Sequence, residues 1–237
     1  MKSIFLKESV VSSIARPKLL TFDVFGTILD WRSGMISAVD ALGVSHQFRE
    51  GVGFDSVLTA QAKDEQAGCY CLYRDIVARS LHSVLGVPLK EAEAIGLKAG
   101  EWPLFPDSQA ALSRLMRLLP CVATTNSDRV HGQQIQTQLG YLLSDWVCAE
   151  DIRVYKPAPD FWKKTAERKG FSLDRSWWHV AAYGDYDLSV ARELGLTCVF
   201  IDRPHSVPAP SDLTFRDLGE LSSFVERLFA ANGGEKP

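Results

Sequence analysis

A doubly wound α/β fold with an all-helical insertion after its first strand is the architecture predicted for this 237-residue chain. Two observations predict it. Short β-branched or apolar runs alternate with segments of helical period over most of the sequence, the pattern of a parallel sheet covered by helices on both faces. Between roughly residues 34 and 102 the alternation stops, and only helical patterns remain.

Taken in order, Leu19-Leu20-Thr21-Phe22 is the first strand. The insertion follows, with Met35, Ile36, Val39 and Leu42, then Leu72, Ile76, Val77 and Leu81, recurring at helical spacing. It is rich in aromatic and amphipathic side chains (Tyr70, Tyr73, Arg74, His82) and ends in the proline-marked return Trp102-Pro103-Leu104-Phe105-Pro106-Asp107. Asp107 then reads as the N-cap of a helix carrying Leu112, Leu115, Met116 and Leu119. Further strands are expected at Cys121 to Thr125, Trp146 to Ala149, Trp178 to Ala182 and Thr197 to Ile201, with a helix opened by Pro157 and Pro159 between the second and third of these. The domains expected are a Rossmann-like core, residues 1–33 and 105–237, and a helical cap, residues 34–104, read as a lid. No internal repeat is visible, and the tail from Gly233 to Pro237 is expected to fray.

Composition bounds the function. The chain is 46% hydrophobic with a formal net charge of −3 and a pI near 6.0, and no run of Lys or Arg is present that could hold nucleic acid or an anionic membrane. Neither is expected as a partner. Charges at Lys2, Lys7, Glu8 and Arg16 interrupt the N-terminal segment, so no signal peptide is read there and a cytoplasmic location is expected. Five cysteines, three of them in strand-like runs, predict core thiols rather than disulfides, and Cys69-Tyr70-Cys71 lacks the spacing of a metal clip.

In an open α/β sheet, ligands bind beyond the carboxyl ends of the strands. Polar residues gather there in this sequence: Asp23-Val24-Phe25-Gly26-Thr27, then Thr125-Asn126-Ser127-Asp128, Lys156 after Val154-Tyr155, and Tyr183-Gly184-Asp185-Tyr186-Asp187. The run Phe22-Asp23-Val24-Phe25-Gly26-Thr27-Ile28-Leu29-Asp30-Trp31 resembles the first motif of the haloacid dehalogenase-like superfamily. The later motifs follow in the family's order: Thr125 with Asn126, Lys156 in Val154-Tyr155-Lys156-Pro157, and the acidic loop ending at Asp187. The resemblance spans residues 19 to about 204.

That resemblance implies that Asp23 attacks the substrate and forms a covalent aspartyl intermediate, which water then hydrolyses. It implies that Thr27 holds Asp23, that Thr125 donates to an anionic group, that Lys156 neutralises charge, and that Asp187 orients Lys156 or the water. Phosphatases of the superfamily carry a second Asp two residues after the nucleophile, where it protonates the leaving group. Here that residue is Phe25, which has no proton to give, and a halide needs none. The expected reaction is therefore hydrolysis of a small 2-haloacid to the 2-hydroxy acid, in the manner of the type II 2-haloacid dehalogenases and without a cofactor.

Such enzymes hold the substrate carboxylate with a cationic cap residue, for which Lys63 and Arg74 are the candidates, with Phe25, Thr125 and Asn126 completing the substrate contacts. One alternative is a magnesium-dependent phosphatase acting on a small phosphate ester, its ion held by Asp23, Asp185 and Asp187. Another is a non-catalytic binding protein on the same fold. A small anionic ligand is expected in any case, and a homodimer is compatible with the aromatic cap. His179 is expected to be structural, and His131 and His82 to lie on the surface or in the cap. Trp177-Trp178 reads as core, and Trp31 as either pocket or core–cap junction.

Overall fold

In the computed structural model, which describes residues 15–43 and 53–231, six strands form one parallel sheet. They are β1 (Leu19–Phe22), β2 (Cys121–Thr125), β3 (Asp145–Cys148), β4 (Trp177–Ala181), β5 (Thr197–Ile201) and β6 (Leu213–Phe215), in the order β3-β2-β1-β4-β5-β6. This is the doubly wound order, and its reversal point falls between β1 and β4. The first five strands match the sequence expectation to within one residue. β6 was missed because three residues, Leu213-Thr214-Phe215, are too short to show a period. The expected Gly233 to Pro237 tail lies outside the described residues.

Strand alternation divides the core. Leu20 and Phe22 of β1 face one apolar cluster, which continues into the cap through Val57, Val77 and Leu81, while Leu19 faces a second cluster built on Phe161, Trp162 and Trp177. Both faces of the sheet are therefore buried, which is why its strands read as unbroken apolar runs. Cys121, Cys148 and Cys198 are buried free thiols, Cys69 and Cys71 are unpaired, and no helix among the described residues is long and apolar enough to cross a membrane.

The insertion contains α1 (Trp31–Asp40), α2 (Gly53–Glu65), α3 (Tyr73–Leu85) and α4 (Leu89–Leu97). α1 begins at Trp31, three residues before the expected boundary, because the Asp30 side chain accepts from Ser33 N at 3.2 Å and from Ser33 Oγ at 2.6 Å. The two crossings between cap and core run side by side, joined by Asp30 N to Pro103 O (2.8 Å) and Phe105 N to Ile28 O (3.0 Å). The core helices are α5 (Ser108–Leu115), α6 (Arg129–Leu139), α7 (Ala149–Ile152), α8 (Pro159–Lys169), α9 (Ser189–Glu193) and α10 (Leu218–Ala231).

Two expectations need correction. Asp107 precedes α5, but its carboxylate does not cap that helix. It accepts both guanidinium nitrogens of Arg203 (2.6 and 2.9 Å) and the N–H of Leu218 (2.7 Å). Arg203 in turn donates from Nε to Thr27 O at 3.1 Å, so this pair fastens the loop after β1 to the return from the cap. His131 is not a surface residue but fully buried. It sits at the third position of α6, where Asp128 and His131 form a reciprocal capping box. Its Nδ1 accepts from Asp128 N at 3.2 Å, which leaves the ring proton on Nε2 for Gly96 O at 2.9 Å, and burial lowers its pKa.

Asp128 also docks the cap. Its two carboxylate oxygens accept the backbone N–H groups of Tyr73 (2.8 Å) and Arg74 (3.0 Å) at the N-terminus of α3, where those donors have no partner within the helix. Asp128→Ala is expected to lose about 3 kcal/mol of stability in urea unfolding, since a fully buried acceptor of several N–H groups disappears. Asp128→Asn, which keeps one acceptor oxygen, should lose less.

Candidate active site

The site lies at the reversal point of the sheet. Asp23 follows β1 directly, with its N–H bonded to Val180 O of β4 at 2.9 Å. Gly26 turns the loop at φ +97°, and a Cβ there would lie 2.3 Å from the Tyr183 ring, so glycine is required by both conformation and space. The turn returns Thr27 beneath Asp23. Thr27 Oγ1 donates to Asp23 Oδ2 at 2.8 Å and accepts from Ala182 N at 2.9 Å, which locks its direction.

Lys156 is buried between two carboxylates. Its Nζ donates to Asp23 Oδ1 at 2.9 Å and to Asp187 Oδ1 at 2.6 Å. Burial pushes the Asp23 carboxyl above its usual range, although Lys156 pulls the other way. For Asp187 the burial effect is outweighed by Lys156 and His179, and its pKa falls. Lys156 is penalised by burial but raised overall by its two carboxylates. Burial thus raises Asp23, while its partners lower Asp187.

Asn126 was expected to meet substrate, yet its amide is engaged by the protein. Its Oδ1 accepts from Lys156 N (2.8 Å), and its Nδ2 donates to Lys156 O (3.1 Å) and to Tyr186 Oη (2.5 Å). It fixes the backbone that carries the ammonium. Thr125, at the end of β2, is buried, and its hydroxyl bonds Ser127 Oγ at 3.2 Å.

His179 is structural, as expected, and also reaches the site. Its Nε2 meets Asp187 Oδ1 at 3.1 Å and its Nδ1 meets Thr21 Oγ1 at 2.9 Å, while Thr21 Oγ1 accepts from Trp177 Nε1 at 2.7 Å. An ionised Asp187 only accepts, so Nε2 carries the proton and Nδ1 accepts from Thr21. Burial, including the Trp162 ring 4.4 Å away, lowers the His179 pKa and keeps it neutral.

Phe25 stands two residues after Asp23 within an aromatic box, its ring 5.7 Å from Tyr73, 6.1 Å from Trp102 and 6.1 Å from His131. Burial raises the Tyr73 phenol and lowers the His131 imidazole. Trp31 occupies the core–cap junction, donating from Nε1 to Tyr183 Oη at 3.0 Å and lying 5.8 Å from the Phe54 ring.

Lys63 is exposed on α2, and Arg74 is half-buried at the start of α3, where its backbone serves Asp128. Among the described residues, a cationic side chain that reaches Tyr183, the residue closing over Gly26, is Arg32. Its guanidinium lies over Phe54 at 4.9 Å, acts on the Tyr183 hydroxyl, and has a buried Nε without a hydrogen-bond partner. Sequence reading passed over it because it directly follows the first motif and looked like part of the core. Glu65, also missed, reaches the site only through tertiary approach from the end of α2, and its carboxylate accepts from Tyr186 Oη.

The magnesium set expected for a phosphatase is not assembled in this arrangement. Asp185 is exposed, and the Lys156 ammonium stands between Asp23 and Asp187. Among the described residues no group of three or more His, Cys, Asp or Glu is placed to hold a metal ion.

Fold and loop geometry define a Rossmann-like α/β protein with its polar residues gathered under a helical cap. A family model for haloacid dehalogenase-like hydrolases matches residues 17–185, and the chain belongs to that family. No curated protein matches it. Among solved structures it is similar to the defluorinating L-2-haloacid dehalogenase Rha0230, at 21% identity over 89% of this chain and 95% of that one, TM-score 0.75. It is also similar to the L-2-haloacid dehalogenase from Xanthobacter autotrophicus with chloropropionic acid covalently bound, at 17% identity over 89% and 98%, TM-score 0.73. The HAD-hydrolase YfnB from Bacillus subtilis bound to magnesium gives 17% identity over 90% and 100%, TM-score 0.75. At these identities the likeness is one of fold.

His179→Leu removes the donor to Asp187 and strands the Thr21 hydroxyl. A stability loss of about 2 kcal/mol is expected by chemical unfolding. His179→Gln, which can donate in the same direction, should recover part of it.

Proposed function

We propose that the protein hydrolyses small 2-haloacids to 2-hydroxy acids through a covalent ester on Asp23. The observation that carries this reading is Phe25 in its aromatic box. The place from which a leaving alkoxide would receive a proton is apolar, whereas a halide departs as a stable anion and needs none.

The Asp23 carboxylate attacks C2 of the substrate, and the C–halogen bond breaks with its electron pair leaving on the halide. Water then adds to the carboxyl carbon of the Asp23 ester, releasing the 2-hydroxy acid and restoring the carboxylate. Thr27 and Lys156 fix the direction of Asp23, leaving each oxygen a free lone pair. Asp187, held by Lys156 and His179, is the base nearest the ester for the second step. Arg32 supplies positive charge at the cap side for the substrate carboxylate. No cofactor enters this chemistry. The ligand is a small anion, and the expected compartment is the cytoplasm.

Purified protein given a panel of short 2-haloacids should release halide equally with and without a chelator, and Asp23→Asn should release none. Phosphate release abolished by the chelator would instead support the phosphatase reading. Ligand binding without either product would support a non-catalytic protein. Because ionised Asp23 attacks and burial raises its pKa, kcat/KM for halide release should fall as the pH drops through a value above the ordinary 3.8. A flat profile across the acid range would place the rate-limiting group elsewhere.

A further inference from the structure

Glu65 carries a carboxyl across the seam between cap and core. Tyr186 Oη donates to its Oε2, and Tyr186 accepts in turn from Asn126, the residue that holds the Lys156 backbone on both its N–H and its C=O. Glu65 and Lys156 both line a cleft of about 550 Å³ along this seam, shared with Cys69, Tyr70 and Arg153. A cap carboxyl is thereby wired to the core loops of a site that, on the reading above, must accept an anion.

Charge decides the form in which it can serve. Asp23 and Asp187 carry two negative charges against the single ammonium between them. An ionised Glu65 would add a third, and an anionic substrate a fourth, in surroundings shielded from water where like charges repel strongly. A neutral carboxyl removes one repulsion and adds an O–H donor. We propose that Glu65 is a substrate-positioning residue that meets the anionic end of the substrate as a neutral carboxyl and donates its O–H to it. Uptake of the anion then carries a proton into the site. The identity of that anion rests on the haloacid reading; the role of Glu65 rests on its place in the cleft and its bond to Tyr186.

The Glu65 carboxyl faces Tyr186, Asn126, Lys156 and Asp187. Burial pushes it up to about 7, against the opposing effects of Tyr186, Asn126 and Lys156. Lys156 is raised and Asp187 lowered, so both stay charged through this range. The phenols of Tyr186, Tyr73 and Tyr155 are raised by burial and stay neutral.

The test is calorimetric titration of the full chain with L-lactate, a 2-hydroxy acid, from pH 6 to pH 9 in buffers of different ionisation enthalpy. Wild type is expected to lose affinity about tenfold per pH unit above its inflection near 7 and to take up a proton on binding at pH 8. Glu65→Gln, a permanent donor of the same shape, should bind without pH slope or proton uptake. Tyr186→Phe, which removes a bond that lowers the Glu65 pKa, should move the inflection upward. A flat wild-type profile, a slope that survives in Glu65→Gln, or lactate that binds neither protein would overturn the proposal. A protein that shows the slope but releases no halide from any haloacid would keep Glu65 in this role and lose the dehalogenase reading.

Discussion

The buried ammonium of Lys156 is the constraint around which the site is built. Two carboxylates, Asp23 and Asp187, are taken out of water on neighbouring loops, and their mutual repulsion would expel one of them or protonate it without a cation between them. A buried ion triad stabilises a fold only when its remaining hydrogen-bonding capacity is met. Here it is met from three directions: Thr27 on Asp23, His179 on Asp187, and Asn126 on the backbone of Lys156. The partners come from the loop after β1, the middle of β4 and the loop after β2, so the triad forms only when β1, β2 and β4 are in register and the loop after α7 is seated.

The cap completes the site from the other side. One core carboxylate, Asp128, caps α6 and takes the N-terminal N–H groups of α3, which places Tyr73 against Phe25. The same junction holds Trp31 on Tyr183, while Tyr183 closes over Gly26. Cap position and loop conformation are thus coupled through a few contacts beyond the carboxyl ends of the central strands, and the apolar wall around Phe25 depends on all of them.

Elements with a strong local period were legible in the sequence. The five longer strands and the helical insertion are written in alternation of apolar runs; Asp23, Thr27 and Asp187 announce themselves in the loops after β1 and β4, and Lys156 by following the apolar pair Val154-Tyr155. What escaped was decided by tertiary contact. Asp107 has the residue type and position of an N-cap, but an arginine nearly a hundred residues later gives its charge a better partner than a helix terminus does. His131 looked like a polar helical residue because its capping box uses a ring nitrogen in place of the usual glutamate. Glu65 and Arg32 acquire their places from the packing of the cap, which no local pattern encodes.

The triad also resolves a conflict built into the proposed reaction. A lone cation on Asp23 would keep the carboxylate ionised but hold its electrons back from the carbon it must attack. Lys156 sits closer to Asp187, at 2.6 Å, than to Asp23, at 2.9 Å, so much of its charge is already answered. Burial raises the Asp23 carboxyl, while Lys156 and His179 lower that of Asp187. In the proposed reaction the ammonium orients Asp23, and a carboxylate raised by burial is the better nucleophile at carbon. Asp187 gains from the same asymmetry. On the proposed route, esterification of Asp23 removes its charge and leaves Lys156 paired with Asp187 alone, an ion pair beside the ester that water opens.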